Sequence, residues 1–407
     1  MLKCGLLGEK LGHSYSPAIH GMLADYEYRL YEKSPEELDE FLLHGDWDGL
    51  NVTIPYKKTA LPYCTQLSER ARRIGSVNTL VRLDDGGILG ENTDAVGFEK
   101  MILRSGIAVA GKKALVLGSG GASVMACDVL RGLDAASVTV ISRNGPDHYG
   151  NLDRHADARI IVNTTPVGMY PKNGASPLDL SRFPRCEGVL DVVYNPMRTA
   201  LLLQAEKLGI PWAGGLCMLV AQAKRSSELF TGKSIDDREA DLIEAVLCRS
   251  MQNIILIGMP GSGKSSAAVL LGKKLNREVL EADRCIEEAA GCTIPEIFAA
   301  EGEAGFRCRE TAVLSELGKR SGVVISTGGG AVTREENYDL LHQNGTIVWL
   351  RRELEKLPTE GRPLSQQGDL RDMYEKRRPL YERFADCQVD NNGSLEETVN
   401  QIMEVLG

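Results

Sequence analysis

Short apolar runs punctuate this chain, each closed by glycine, proline or a polar cluster. They are KCGLLG from residue 3, GLNVTIP from 49, KKALVLG from 112, SVTVISR from 137, ARIIVNTT from 158, GVLDVVY from 188, NIILIG from 253, VVISTGG from 323 and TIVWLR from 346. Stretches with helical apolar spacing lie between them. Continuous apolar runs suit strands buried on both faces, and their alternation with helices predicts an α/β protein with parallel sheets. The one natural seam falls near residues 246–252, where the helical pattern DREADLIEAVLCRS gives way to NIILIG. Two halves joined by a very short linker are expected.

At 407 residues the chain is long enough for two or three domains, and its formal net charge of −9 argues against a nucleic-acid or anionic-membrane partner. Small-molecule substrates fit better. The ten cysteines are scattered without a CxxC pair, as in a reduced cytoplasmic protein, and the N-terminal residues lack a signal-peptide apolar region. The pattern does not speak to oligomeric state.

The strongest local chemistry is GMPGSGKSS (258–266), which follows the strand IILI and opens a helix. This is the phosphate-binding loop pattern. Gly261, Ser262, Gly263 and Ser266 let backbone N–H groups converge on phosphate oxygens, Lys264 adds charge, and Ser265 offers its hydroxyl to Mg2+. ATP is the expected ligand. In the first half, GSGGA places Gly118, Gly120, Gly121 and Ala122 between a strand and a helix, the position of a dinucleotide pyrophosphate. The next strand ends at Ser142 and Arg143, and an arginine there suits a 2′-phosphate, favouring NADP(H) over NAD.

Polar residues also cluster beside apolar runs in HSYSP (13–17), NVTIPYK (51–57), GSVNTL (75–80) and GENTDAVGF (90–98). Individually these read equally well as helix caps and turns. Together, and in this order, they resemble shikimate dehydrogenase across residues 1–247. The resemblance implies that Ser14 and Ser16 hold a substrate carboxylate, that Asn51, Thr53, Asn78 and Gln222 bind ring hydroxyls, and that Lys57 and Asp94 form the catalytic pair. Ketone reduction leaves an alkoxide, so a proton donor must stand at that oxygen. IVNTTPVGM (161–169), DVVYNP (191–196) and GGLCMLVAQA (214–223) continue the resemblance. They add Asn163, Thr164, Gly215 and Met218 to the cofactor set and Tyr194 to the substrate set. The implied organisation is a substrate lobe of residues 1–97 and 220–247 around a Rossmann-type NADP lobe of 98–219. The chain departs from the family at Val124, at Ser142-Arg143-Asn144, and in a stretch from Gly145 to Ala158 short for a helix.

Beyond the phosphate loop, LEADRCIEEAAG (280–291), IPEIFAAEGEAGFRCRE (294–310), STGGGAV (326–332), GRPL (361–364) and KRRPLYERFAD (376–386) resemble shikimate kinase, over residues 251–407. The resemblance implies a P-loop domain with a parallel sheet in which Asp283 serves the acceptor hydroxyl and Arg307 and Arg377 grip the substrate carboxylate. Gly328 to Gly330 underlie the ring, with Gly329 at the substrate, and Glu310 aligns Arg307. Lys264 and the lid residue Arg362 attend the transferred phosphoryl group. Glu281 stands where the family has an aspartate serving hydrated Mg2+, and Lys356 is the cation nearest the family's adenine-stacking arginine.

The two resemblances are chemically linked, because the product of the first reaction is the substrate of the second. The expected protein is bifunctional: it reduces 3-dehydroshikimate with NADPH and phosphorylates shikimate with ATP, on the route to aromatic amino acids. The alternatives are an NAD-linked quinate dehydrogenase in the first half, or one half retained as a non-catalytic regulatory module.

Overall fold

The computed structural model describes residues 1–12, 14–357 and 370–407, so Arg362 and its GRPL segment lie outside the described residues. Two compact units emerge, Met1–Leu247 and Cys248–Gly407. The division falls within the helix Asp237–Met251, so no separate linker loop stands at the seam; only Gln252 separates this helix from the next strand.

The first unit holds two sheets. One contains β1 (Lys3–Gly8), β2 (Glu27–Glu32), β3 (Gly49–Val52), β4 (Gln66–Leu67), β5 (Thr79–Arg82) and β6 (Ile88–Glu91), in the order β2-β1-β3-β5-β6-β4. It is mixed, and here the expectation of parallel sheets needs correction: β5 runs antiparallel to both β3 and β6. For β5 and β6 the reason is local. Leu83 and Gly87 close a tight turn by a 2.8 Å backbone hydrogen bond, with Gly86 at φ +82°. So short a connection can join only antiparallel neighbours.

The second sheet contains β7 (Lys113–Leu117), β8 (Ser137–Ile141), β9 (Ile160–Asn163), β10 (Gly188–Asp191) and β11 (Trp212–Ala213), all parallel, in the order β11-β10-β9-β7-β8. Alternate residues of each strand feed opposite cores: Ala114, Val116, Ile160 and Val162 face one cluster, Leu115, Leu117, Ile161 and Val189 the other. Burial on both faces explains the unbroken apolar runs. From Tyr149 to His155 the chain forms 3-10 turns. The second unit repeats the plan with β12 (Asn253–Ile257), β13 (Val279–Glu281), β14 (Val324–Ser326), β15 (Gly345–Arg351) and β16 (Cys387–Asp390), in the order β13-β14-β12-β15-β16 and all parallel.

One helix contact matters for the site. The helices Thr93–Ser105 and Leu216–Thr231 pack so closely at Gly97 that a Cβ there would overlap the Met218 carbonyl. That approach carries Asp94 and Gln222 toward a common sheet edge.

Candidate active sites

In the substrate lobe, Asn92 caps the helix Thr93–Ser105 by accepting from the Ala95 N–H, which sets Asp94 in the first turn. Asn92 thus serves as the cap within GENTD, while the Asp94 carboxylate makes its contacts elsewhere. Lys57 Nζ lies 2.5 Å from Asp94 Oδ2, with the two side chains 29% and 19% exposed, so a substrate can reach a pair that is still partly shielded. Asn78 donates to Asp94 Oδ1 at 2.9 Å and to Thr93 Oγ1 at 3.0 Å, and its own oxygen accepts from the Thr93 N–H at 2.6 Å. Gln222 accepts from Asn78 at 3.4 Å. Asn51 donates to Ser226 Oγ at 2.8 Å and accepts from the Tyr28 hydroxyl at 2.8 Å.

The structure thus brings Asn51, Lys57, Asp94, Asn78 and Gln222 together, along with Thr79 and Ser226. Thr53 continues the same edge just past β3, its N–H bonded to Leu7 O at 2.9 Å. Ser14 accepts from the Ser16 N–H at 3.2 Å at the start of the helix Ser16–Leu23. Tyr194 meets Tyr15 edge-on with centroids 6.0 Å apart, and burial raises its hydroxyl pKa. Behind these groups His20 stacks flat on Tyr28 at 4.0 Å and shares a 2.6 Å hydrogen bond with the Tyr26 hydroxyl. Burial drives the imidazole pKa down to about 3. Ser226 sits one turn beyond Gln222 on a single helix face, a spacing visible in the sequence; nothing there points from Tyr28 to Asn51.

In the second sheet β8 and β9 flank β7 on opposite sides, which makes the carboxyl end of β7 a topological switch point. Gly118 there has φ +109°, and a Cβ on Gly120 or Gly121 would meet no atom within 4 Å, leaving open space before the helix Gly121–Gly132 that includes Ala122. A helix N-terminus that opens on unfilled space fits a pyrophosphate. Thr164 borders this turn, its Oγ1 3.0 Å from a Cβ on Gly118. Ser142 and Arg143 follow the end of β8, with Arg143 exposed.

Three other residues of the cofactor set are held inward. Asn163 is fully buried, donating to Asp191 at 3.0 Å and accepting from Thr165. Gly215 packs so closely on Val192 that any Cβ would overlap the carbonyl, and Met218 packs against the core of the sheet. Asp191 itself accepts from Thr199, Val193 and Asn163. Burial lifts its pKa to about 6 against those donors.

The second unit carries a cleft of about 660 Å3 lined by the phosphate loop, Glu281, Asp283, Arg307, Glu310, Gly328 to Gly330, Arg352 and Arg377. Gly261 and Gly263 take φ of +84° and +89°, which β-carbon residues rarely adopt. Lys264, 8% exposed, donates to the carbonyls of Gly258 and Met259 at 3.0 Å each. Ser262 Oγ is buried with no hydrogen-bond partner. A glycine-built loop at a helix N-terminus with a buried lysine fits a nucleotide phosphate chain.

Ser265 Oγ lies 3.5 Å from Ser326 Oγ, and Glu281 precedes the helix Ala282–Ala290. These hard oxygen donors suit Mg2+, which keeps much of its water. Among the described residues no group of three or more His, Cys, Asp or Glu could hold a metal ion.

On the acceptor side Arg307 bonds the fully buried Glu310 at 2.6 Å, and a Cβ on Gly330 would overlap its guanidinium. Arg377 and Tyr381 both donate to the Gly329 carbonyl, at 3.2 and 2.5 Å. A Cβ on Gly328 would lie 2.7 Å from Glu310 Oε1 and 3.0 Å from Asp283 Oδ1, so only glycine lets both carboxylates approach the strip. Burial raises the Asp283 pKa, opposed by Lys264 and Arg307. Lys356 is 2.9 Å from Glu353, which engages its charge. Arg352, Tyr381 and the stacked pair Phe298 and Phe306, with centroids 4.7 Å apart, were not singled out by the sequence motifs.

The hydrogen-bonded cluster around Lys57 and Asp94 and the phosphate-loop cleft suit an oxidoreductase and a phosphotransferase in one chain. Residues 6–80 match the family model of the shikimate dehydrogenase substrate binding domain, and residues 260–407 match that of shikimate kinase. The shikimate dehydrogenase (NADP(+)) of Clostridium perfringens is 33% identical over 267 residues, covering 60% of this chain and 98% of the relative. That of Methanosphaera stadtmanae is 33% identical over 260 residues, covering 56% and 91%. Among solved structures, a chorismate mutase/shikimate 5-dehydrogenase fusion protein from Clostridium acetobutylicum has a TM-score of 0.57 at 37% identity, covering 60% of this chain and 97% of its own. Shikimate 5-dehydrogenase from Thermus thermophilus, in complex with NADP(H) and shikimate, has 0.55 at 32%, covering 60% and 99%. The chain belongs to the shikimate dehydrogenase family and carries a shikimate kinase domain after it.

Proposed function

We propose that this chain catalyses two successive steps of aromatic amino acid biosynthesis: reduction of 3-dehydroshikimate to shikimate, then phosphorylation of shikimate at its 3-hydroxyl. The observation that carries the proposal is that each unit holds a candidate proton-handling group beside a polar binding set: Lys57 on Asp94 next to Asn78 in one, Asp283 in a cleft with Arg307 and Arg377 in the other.

In the first step, bound NADPH supplies the hydride. Lys57, held in place by its 2.5 Å contact with Asp94, donates or positions the proton at the ketone oxygen as charge develops there. Asn51, Thr53, Asn78 and Gln222 orient the ring hydroxyls, and Ser14 and Ser16 take the carboxylate at the mouth, beside Tyr194.

In the second, ATP supplies the phosphoryl group. Asp283 accepts the hydroxyl proton, and its raised pKa makes it a stronger base than an exposed aspartate. Arg307, braced by Glu310, and Arg377 hold the substrate carboxylate over the glycine strip, while Lys264 stabilises phosphate charge. Ser265 and Glu281 would hold Mg2+, and Arg362 is assigned to the transferred phosphoryl group.

We assign residues 1–97 and 220–247 to the substrate lobe, 98–219 to the NADP lobe and 251–407 to the kinase. The ten free cysteines support a cytoplasmic location. A coupled assay with 3-dehydroshikimate, NADPH and ATP tests the whole assignment. It should oxidise NADPH and release ADP in equal amounts, and NADPH oxidation without ADP release would remove the second activity.

A further inference from the structure

The arginines of the second unit are mostly engaged by carboxylates: Arg284 by Glu288, Arg309 by Glu301, Arg320 by Glu278 and Arg378 by Glu382. Arg352 differs. It follows β15, lines the nucleotide cleft, and has a buried Nε with no hydrogen-bond partner; it forms no ion pair among the described residues. Its Nη1 lies 3.5 Å from the place a Cβ on Gly263 would take. Gly263 is the residue at which the phosphate loop enters the helix Lys264–Leu275, so a guanidinium and a helix N-terminus converge on one point.

A half-buried cation without a counter-ion is costly unless a ligand completes it. The helix start, with its own partial positive charge, disfavours a neighbouring cation in the free protein and strengthens the demand for an anion there. The adjoining loop is fixed from the other side. Glu353 N–H bonds Asn392 Oδ1 at 2.9 Å, and Asn391 donates to the Ser262 carbonyl. Arg352 therefore projects from a braced strand end.

We propose that Arg352 is a phosphate ligand of the nucleotide triphosphate, contacting the chain of phosphates beside Gly263. This rests on the phosphotransferase function proposed above, but binding tests it apart from turnover.

In the full-length protein, Arg352→Gln should weaken ATP binding measured by titration calorimetry about tenfold or more, the loss expected for a charge-assisted hydrogen bond. Inorganic tripolyphosphate should lose affinity by a similar factor. KM for shikimate and the NADPH-dependent activity should stay within about twofold, and Arg352→Lys should recover part of the loss because it keeps the charge. ATP affinity within about twofold of the parent would overturn the proposal. So would an equal rise in both kinase KM values, the mark of general loosening, or weakened ATP binding with tripolyphosphate unaffected, which would move the contact to the base. If the parent binds ATP but does not phosphorylate shikimate, the kinase assignment fails while these titrations still decide the role of Arg352.

Discussion

Asn78 and Asp94 meet at 2.9 Å, the amide of the first donating to the carboxylate oxygen that Lys57 leaves unused. The carboxylate is therefore fixed at both oxygens, one by a charge and one by a buried amide that Thr93 locks in turn. A lysine held this way has its Nζ at a defined point, which is what a reaction that generates an alkoxide requires.

Replacing Lys57 with Ala should lower kcat for ketone reduction by about a hundredfold or more, within the range for positioned acid–base groups. ADP release by the second unit should be unchanged. A fall of less than about threefold in NADPH turnover would remove Lys57 from the chemistry.

Arg143 stands exposed just beyond β8. If it reads the 2′-phosphate, Arg143→Ala should raise KM for NADPH about tenfold while KM for NADH moves less than about twofold. Equal weakening of both cofactors would mean that Arg143 reads the shared part of the dinucleotide. A parent enzyme that prefers NADH would revive the NAD-linked alternative.

Much of this was legible because the decisive residues sit inside short contiguous signals. GSGGA and GMPGSGKSS announce strand, turn and helix in a row, and GENTD carries both a cap and an acid. What the sequence hid was long-range or weakly patterned. Asn51 bonds Ser226, 175 positions away, and no local pattern encodes such a partner. The edge strand EYRLYE is too polar to stand out, and it is partly exposed. The mixed first sheet depended on the turn before Ile88, whose Asp-Asp-Gly-Gly signal was present but lay between two runs that look like neither strand nor helix. Arg352 lies outside every motif and became visible only through its missing partner.

His20 gives the first unit a pH dependence of fixed sign. In the fold its pKa is about 3, against an ordinary 6.5, because burial disfavours the charged ring. Below pH 6.5 the unfolded chain binds a proton that the folded chain refuses, so stability falls as pH drops across that window. Between pH 6.5 and pH 5 the loss should be ~2 kcal/mol from this group. His20→Phe keeps an aromatic face for Tyr28 and should flatten that slope in urea unfolding of the dehydrogenase signal. A variant as acid-sensitive as the parent would show that other groups set the dependence.

The division at Cys248 makes a prediction about where the kinase begins. Met251, though it belongs to a helix that starts at Asp237, is 1% exposed, and its carbonyl accepts from the Gly322 N–H at 2.8 Å. Arg277 donates to the carbonyls of both Gln252 and Arg249. These contacts all belong to the second unit. A fragment of residues 248–407 should therefore fold and phosphorylate shikimate, whereas one of residues 253–407 keeps β12 but loses the side chain and carbonyls that close its base. Removing a buried methionine alone costs about 2 to 3 kcal/mol, and the Arg277 donors would be left without acceptors. The shorter fragment should show a Tm lower by several degrees, roughly 5 °C or more for a domain of this size. Equal stability of the two would mean that the last helical turn before β12 is not part of the kinase core. An insoluble longer fragment beside an active full-length chain would show that the kinase depends on residues before Cys248.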